Sequence, residues 1–240
     1  RRHNIALSFL YAGELMFANI KLRWFVLPSL LAALFLIAIP PVVSWAGELE
    51  DAQDLVRANP YSAEAHRSLG LVYGSLGKHK EEIASYKEAI RLNPDDEFTL
   101  ILLGEAYQEL GQYQDAIVSY KEAIRVNPDY AAPLILLGET YYAAGQYQDA
   151  IASYKKAIPR NPSYAGTHTN LGEAYHELGQ YQDAIASYKE AIRIKPYLSK
   201  PHYGLGNAYH NLGQYQDAIA SLKEAIRLNP DDTDAHYGLG

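Results

Sequence analysis

One residue spacing constrains the fold of this chain more than any other feature of its sequence. Prolines recur at a constant interval of thirty-four residues, at Pro60, Pro94, Pro128, Pro162, Pro196 and Pro230. The heptapeptide Gly-Gln-Tyr-Gln-Asp-Ala-Ile keeps the same interval and starts at Gly111, Gly145, Gly179 and Gly213. An active site needs its catalytic residues only once, whereas a structural unit can be repeated. The spacing therefore predicts an array of equivalent structural units.

Each unit has the pattern of two amphipathic helices. Apolar residues lie three, four and seven positions apart on both sides of Gly111, which is the helical period. Gly111 is suited to the left-handed conformation that ends a first helix, and Pro128 ends the second. We expect Asp129 to cap the first helix of the next unit. Pro159 predicts a second helix that is shorter by one turn in the third unit.

Residue size predicts how the helices pack. Gly104 leaves room for the second helix of its own unit, and we expect the small side chain of Ala116 to face it; the same holds at the equivalent positions of the other units. We expect Tyr107 and its equivalents to fill the space between neighbouring units. The chain has twenty-one tyrosines, and this pattern places most of their rings in the core, with hydroxyls able to reach a surface.

The residues that characterise the repeat can be read from residues 97–130, where they are Leu103, Gly104, Tyr107, Gly111, Tyr113, Ala116, Tyr120, Ala123 and Pro128. Their order and the thirty-four-residue period resemble those of the tetratricopeptide repeat (TPR) family. The resemblance covers residues 63–232 as five repeats, 63–96, 97–130, 131–164, 165–198 and 199–232, and residues 233–240 open a sixth. It implies an all-α fold, a right-handed α-solenoid of helix-turn-helix repeats.

Two segments depart from the repeat. Residues 48–62 keep the phase of a second helix without a first helix before it, and we predict a half-repeat that caps the N-terminal end of the solenoid. In the first repeat the sequence Gly-Lys-His-Lys-Glu-Glu-Ile puts His79 where the other repeats have tyrosine, and Glu82 where they have alanine. We expect looser packing there, or a contact with a neighbouring element.

The N-terminal region has the character of a membrane anchor. Residues 24–47 contain no charged side chain, and at about 1.5 Å per residue they exceed the ~30 Å hydrocarbon core of a bilayer. We predict a transmembrane helix over 24–46, kinked or ended at Pro40 and Pro41, after an apolar or interfacial helix over 1–23. Residues 4–20 either lie on the membrane or cross it. A secretory signal is an alternative, because basic residues precede the apolar stretch and small residues close it.

Charge predicts the topology and limits the partners. Residues 1–46 carry a net charge of +3, so the rest of this −7 chain carries −10. The positive-inside rule then puts the N-terminus in the cytoplasm and the repeats on the periplasmic, lumenal or extracellular side. The anchor would contact membrane lipid, while the acidic body argues against nucleic acid as a partner. With no cysteine in the chain, disulfides, thiolate nucleophiles and cysteine-ligated zinc are excluded.

We predict no catalytic residue, no cofactor site and no metal site. Four histidines, His66, His168, His202 and His236, share one repeat position; at about 10 Å between adjacent repeats they are too far apart to share one ion. The TPR resemblance instead implies a partner-binding groove on the first helices. Its predicted lining is Phe98, Ile101, Glu105, Gln108, Glu109, Ile135, Glu139, Tyr142, Thr169, Glu173, His176, Glu177, Lys200, Tyr203, Asn207, His210 and Asn211. Apolar patches beside carboxylates suit a basic, partly apolar protein segment.

These features predict a non-enzymatic, membrane-anchored scaffold for protein–protein interactions, such as an accessory or assembly subunit of a membrane complex. Two alternatives stay open. The chain begins without methionine and stops within a repeat, so we expect further sequence at both ends, and a catalytic domain beyond Gly240 would make it the targeting arm of an enzyme. Alternatively, it is a structural subunit that attaches through its N-terminal helices. The groove glutamates also have a simpler interpretation as the solvated face of ordinary helices.

Overall fold

The computed structural model describes residues 42–231 and 233–239. The chain divides into two units, residues 1–46 and 47–240, and the described helices belong to the second unit except for the first turn of α1. The helices are α1 (Val42–Ala58), α2 (Ala63–Ser75), α3 (His79–Leu92), α4 (Glu97–Glu109), α5 (Tyr113–Val126), α6 (Ala131–Ala143), α7 (Tyr147–Ala157), α8 (Ala165–Glu177), α9 (Tyr181–Ile194), α10 (Ser199–Asn211), α11 (Tyr215–Leu228) and α12 (Thr233–Leu239).

The helices α2 to α11 form the five predicted helix pairs. From α2 to α12 each helix packs against the next one in sequence, and the first helix α8 also contacts the first helices α6 and α10 of its neighbouring repeats. The first helices α6, α8 and α10 therefore lie side by side, as in the helical repeat architecture that the thirty-four-residue period predicts.

Glycine ends the first helix of each repeat, as predicted. Gly111 has a φ of +69°, its N–H donates to the Gln108 carbonyl at 2.9 Å, and the next N–H, from Gln112, donates to the Tyr107 carbonyl at 2.9 Å. This pair of hydrogen bonds is the Schellman motif. Hydrogen bonds between backbone groups close this turn, and the second helix begins directly after it.

The predicted cap at Asp129 is wrong. The residue at the N-cap of α6 is Tyr130, and no side chain caps this helix. The cap position lies one residue later than we expected, as Asp96 demonstrates in the preceding repeat, where its carboxylate accepts from the N–H groups of Phe98 and Thr99. Ser62 does the same for α2.

The expectation that alanine faces the first-helix glycine is also wrong. A Cβ placed on Gly104 would lie 2.5 Å from a ring carbon of Tyr120, so a tyrosine ring fills the space that the missing side chain leaves. Tyr86, Tyr154 and Tyr188 contact their own first-helix glycines in the same way, and these rings are almost fully buried. Ala116 is completely buried as well, but it is the aromatic ring that requires glycine opposite.

Tyr107 and its equivalents lie between repeats, as predicted. Each receives a lysine ammonium from the second helix of the preceding repeat, with distances to the ring centroid of 5.3–5.7 Å, in the pairs Lys87–Tyr107, Lys121–Tyr141, Lys155–Tyr175 and Lys189–Tyr209. A cation over an aromatic face at this distance contributes about 0.5–1 kcal/mol at a partly exposed site. These pairs add a polar contact to each junction.

Pro159 shortens the second helix of the third repeat, which confirms that prediction. Helix α7 has 11 residues, compared with 14 in α5 and α9. The chain continues as a single 3-10 turn over Ile158–Arg160, because proline has no N–H to donate into an α-helix and its ring crowds the preceding turn.

The N-terminal predictions fall mainly outside the described residues. The apolar helix at 1–23 and most of the predicted span at 24–46 lie there; residues 42–46 are the first turn of α1. None of the described helices combines the length and apolar character needed to cross a bilayer. In the predicted half-repeat, Ala52 is buried and Gln53 donates to the Tyr73 hydroxyl at 3.2 Å. Leu55, which we expected on the apolar side, is 44% exposed.

Candidate functional site

The predicted groove residues lie on the first helices α4, α6, α8 and α10, and we call the surface that they form the first-helix groove. Exposed to solvent are Phe98, Glu105, Glu109, Glu177, Lys200, His210 and Asn211. Half-buried are Gln108, Ile135, Glu139, Tyr142, Glu173, His176, Tyr203 and Asn207. The periodicity therefore selected mostly accessible side chains, while their role in binding stays a prediction.

Two predicted lining residues belong to the core instead. Ile101 is 6% exposed and Thr169 is 4% exposed. The Thr169 hydroxyl donates to the carbonyl of Ala165, one turn earlier, at 3.1 Å, so it is satisfied inside its own helix. Both residues share a repeat position with Ile135 and Tyr203, which stay half-buried, so burial at this position differs from repeat to repeat.

A cavity of about 460 Å³ opens in the first-helix groove where α6, α8 and α10 meet. Its lining includes predicted groove residues, namely Tyr142, Glu173, His176, Glu177, Lys200, Tyr203 and Asn207. The remaining lining residues, Tyr188 and Gly204, were not predicted. A signal for them exists in the sequence, since Gly204 stands where Leu102 and Leu136 stand in earlier repeats, and the loss of that side chain makes room beside Tyr188.

Polar contacts fix the carboxylates of this cavity. The Glu173 carboxylate forms an ion pair with the Lys200 ammonium, with 2.8 Å between Oε1 and Nζ. The Tyr142 hydroxyl donates to Glu177 at 3.5 Å, a long hydrogen bond. Burial, followed by the nearby carboxylates of Glu177 and Glu173, raises the pKa of Tyr142 to about 12, so this hydroxyl stays protonated and remains a donor.

Glu105 lies at the centre of a second group of carboxylates, toward the N-terminal repeats. The residue is exposed on the open side of the groove, but the groove walls still desolvate the carboxylate in part, and the nearby carboxylates of Glu109, Glu82 and Glu139 repel its charge, so that its pKa rises to about 7. Burial also raises the pKa of Glu139, although a hydrogen bond from Asn170 at 2.9 Å opposes that shift. The groove thus holds more negative charge than its surroundings stabilise.

Lysine and arginine side chains neutralise only some of the groove carboxylates. Within the part of the chain that the structure describes, no lysine or arginine lies within ion-pair distance of Glu105, Glu139 or Glu177, whereas Glu173 has Lys200. The first-helix groove is therefore a surface with several carboxylates available to an external cation.

Gln108 has a structural role that its predicted position in the groove does not suggest. Its side-chain oxygen accepts from the Tyr120 hydroxyl at 3.2 Å, and the Thr140 hydroxyl of the next repeat lies at the same distance. This side chain therefore joins the buried tyrosine to the neighbouring first helix, which leaves its NH₂ group for a partner.

Three of the four histidines that share one repeat position contact the end of the unit that precedes their own. The ring Nε2 of His66, His202 and His236 lies 3.0–3.1 Å from the carbonyl of the proline six residues earlier. The remaining histidine of this set is His168, and burial lowers its pKa. The first three rings tie their first helices to the turns before them, and across the described residues none of the four belongs to a group that could hold an ion.

A different histidine takes part in a cluster that the sequence pattern did not predict as a site. His79 Nδ1 lies 2.9 Å from Glu82 Oε2 and 3.2 Å from Glu109 Oε2. Glu82 is 7% exposed, and burial raises its pKa, while the hydrogen bond with His79 lowers it. The expected contact with a neighbour is confirmed, because Glu109 belongs to the next repeat. The contact between His79 and Glu109 is hard to predict from the sequence, because a whole helix pair separates the two residues along the chain.

Comparison with known proteins agrees with this architecture. Models described as TPR repeat or tetratricopeptide repeat match residues 63–96, 85–118, 104–145, 138–179, 172–213 and 206–240. The chain belongs to the tetratricopeptide repeat family. No curated protein matches it in sequence.

Several solved structures share the fold. A crystal structure of MamA protein is 28% identical, with a TM-score of 0.66, over 74% of this chain and 96% of that one. TTC0263, a thermophilic TPR protein in Thermus thermophilus, is 25% identical, with a TM-score of 0.55, over 73% of this chain and 96% of that one. YrrB, described as a TPR protein with an unusual peptide-binding site, is 18% identical over 79% and 97% respectively, with a TM-score of 0.67. This TPR array is accordingly an interaction scaffold by its fold.

Proposed function

We propose that this TPR array binds a basic, partly apolar segment of a partner protein in the first-helix groove. The observation that carries the proposal is the set of groove carboxylates without a lysine or arginine partner among the described residues, Glu105, Glu139 and Glu177. Burial, followed by repulsion from neighbouring carboxylates, raises the pKa of Glu105. A Lys or Arg side chain beside it would stabilise the ionised form, and that stabilisation contributes to the free energy of binding.

The cavity between α6, α8 and α10 suits the anchor of such a segment. Tyr142, Tyr188 and Tyr203 supply aromatic surface, and Glu177 supplies a carboxylate. Aromatic rings beside a carboxylate favour a cationic side chain with an apolar stem, which can contact both. The fold is of a typically non-catalytic kind, and a peptide-binding site in YrrB supports peptides as a class of ligand for it.

The test is a fluorescence-polarisation assay with peptides of matched length that carry either Lys and Leu or Glu and Leu. We expect saturable binding of the basic peptide only, and a loss of at least tenfold in affinity in the triple variant Glu105→Gln, Glu139→Gln, Glu177→Gln. The control is Asp115→Asn, Asp149→Asn, Asp183→Asn, which removes the same number of carboxyl groups at exposed positions in the first turns of second helices. Equal losses in both variants would leave only non-specific attraction and refute the groove.

We propose further that residues 24–46 anchor the array in a membrane with the repeats on the side opposite the cytoplasm. The uncharged stretch and the basic flank that precedes it support this topology. Because the chain contains no cysteine, single cysteines report topology cleanly. An impermeant maleimide added to intact cells should label Ser163→Cys and not Arg2→Cys. Labelling in the reverse order, or recovery of both variants in the supernatant after carbonate extraction, would contradict the anchor.

A further inference from the structure

The first repeat differs from the other four at three positions that meet in space. Gly74 stands where Gln108, Tyr142, His176 and His210 stand in the later repeats; His79 replaces a tyrosine, and Glu82 replaces an alanine. A Cβ on Gly74 would lie 2.6 Å from a Glu82 carboxylate oxygen. The buried Glu82 carboxylate occupies the space that a side chain at position 74 would fill. The three differences therefore belong to one local arrangement.

This arrangement gathers donor atoms from two repeats, and we call it the His79 cluster. His79 and Glu82 lie one turn apart at the start of α3, and Glu109 is the last residue of α4. The ring Nδ1 and one oxygen of each carboxylate all lie within 4.8 Å of one another. The Glu82 side chain is 10% exposed and that of Glu109 is 62% exposed, so the cluster has a buried wall and an open side.

The two distances from the His79 ring nitrogen match those between ligands that share one metal ion. Ligands held at about 2.0–2.2 Å lie about 2.8–3.1 Å from one another in octahedral geometry and about 3.3–3.6 Å in tetrahedral geometry. His79 Nδ1 is 2.9 Å from Glu82 and 3.2 Å from Glu109. Without an ion, one N–H proton of the ring serves both carboxylates; a cation at the same place would bind all three donor atoms at once.

We propose that the His79 cluster is a binding site for a divalent transition metal of the Zn²⁺ class. One imidazole nitrogen with two carboxylates suits such ions, whereas Mg²⁺ and Ca²⁺ select all-oxygen sites. Water or a partner carboxylate would complete the coordination from the open side. The ion would join the first repeat to the second.

The competing explanation is a buried hydrogen-bonded cluster that needs no ion. Burying Glu82 costs free energy that a single shared proton offsets only in part, and alanine at the same position in four other repeats shows that the fold itself does not require the carboxylate. The bound cation would offset the remaining free-energy cost of burying the Glu82 carboxylate. The inference does not depend on peptide binding, because the groove assay can fail while metal binding is retained.

The experiment uses the full chain, freed of metal with a chelator and titrated with ZnCl₂ or MgCl₂ by calorimetry. We expect one saturable Zn²⁺ site, no competition by Mg²⁺, and a visible d–d absorption band with Co²⁺. The double variant His79→Tyr, Glu82→Ala carries the residues of the other repeats, so folding should be retained; we expect at least a tenfold loss of Zn²⁺ affinity and loss of the Co²⁺ band.

Glu109→Gln supplies a second variant that leaves the buried side of the cluster unchanged, and it should also weaken Zn²⁺ binding at least tenfold. Its matched control is Glu177→Gln at the equivalent position two repeats later, where the residues equivalent to His79 and Glu82 are Tyr147 and Ala150; here Zn²⁺ affinity should not change. Unaltered Zn²⁺ binding in both cluster variants would assign the ion to other histidines and refute the proposal. Absence of binding by the unmodified chain at millimolar Zn²⁺ would refute it as well.

Discussion

At the scale of single residues, the contact between a first-helix glycine and a second-helix tyrosine ring sets the separation of the two helices. We predict that Gly104→Ala destabilises the array by up to about 2 kcal/mol. A Cβ there would lie 2.5 Å from the buried ring of Tyr120, and overpacking of this kind costs about 1–3 kcal/mol, while alanine recovers about 1 kcal/mol of helix propensity. Chemical denaturation with urea measures the difference.

The control for this prediction is a helical glycine in open surroundings. Among the described residues, no heavy atom lies within 4 Å of the Cβ position of Gly47 in α1, so Gly47→Ala should stabilise by up to about 1 kcal/mol. If both substitutions stabilised the protein equally, helix propensity alone would govern these sites and the ring contact would have no weight.

The same contact marks a limit of what the sequence predicts at this scale. Periodicity placed glycine correctly on the inner face of its helix, and the left-handed Gly111 was predicted from residue type alone. Periodicity does not predict whether Ala116 or Tyr120 faces Gly104, because both residues lie on the buried side of α5. The choice depends on how far α5 is shifted along α4. The cap at Asp129 was missed by one residue for a related reason, since turn geometry decides which side chain reaches the free N–H groups.

At the scale of elements, α7 is the one second helix among the five described pairs that lacks a terminal ion pair between glutamate and arginine. In the other repeats this pair has distances of 2.6–2.7 Å, whereas the third repeat has Lys156 and Pro159 at those positions. We predict that Lys156→Glu, Pro159→Arg stabilises the array by about 1–2 kcal/mol, because it restores an α-helical turn and a pair worth about 0.2–0.5 kcal/mol.

Hydrogen exchange of the amides at 158–160, together with the thermal midpoint, measures this effect. Lys156→Glu alone serves as the control and should change the free energy of unfolding by less than about 0.5 kcal/mol. A drop in stability of the double variant would mean that the 3-10 turn is required, for example to let Arg160 donate to the Pro128 carbonyl at 2.6 Å as it does now. This element could be predicted from sequence because proline acts locally, with no dependence on tertiary contacts.

At the scale of the whole molecule, the groove combines carboxylates from several repeats, and its properties emerge only from their assembly. The family resemblance placed most lining residues on the first helices. It could not predict that Ile101 and Thr169 are buried, that Gly204 opens a cavity beside Tyr188, or that His79 meets Glu109 from the next repeat. These outcomes depend on distances between repeats, which a linear pattern does not contain.

The raised pKa of Glu105 makes both stability and binding depend on pH. Its pKa of about 7 in the folded chain exceeds its usual 4.5, so the folded state holds the proton more tightly. The stabilisation is therefore complete below pH 4.5 and is lost as the pH rises through 7. Because solvent reaches this carboxylate from the groove, screening limits the effect to about 1 kcal/mol.

A basic ligand should reverse this penalty, since it favours the ionised form. We predict that the affinity for the basic peptide rises several-fold, and at most about tenfold, between about pH 6 and pH 8, measured by fluorescence polarisation at constant ionic strength. Glu105→Gln should bind more weakly at the upper end of this range and lose most of the dependence, while being more stable there than the unmodified chain. A pH dependence retained in Glu105→Gln would show that another group is responsible and would contradict the role of Glu105.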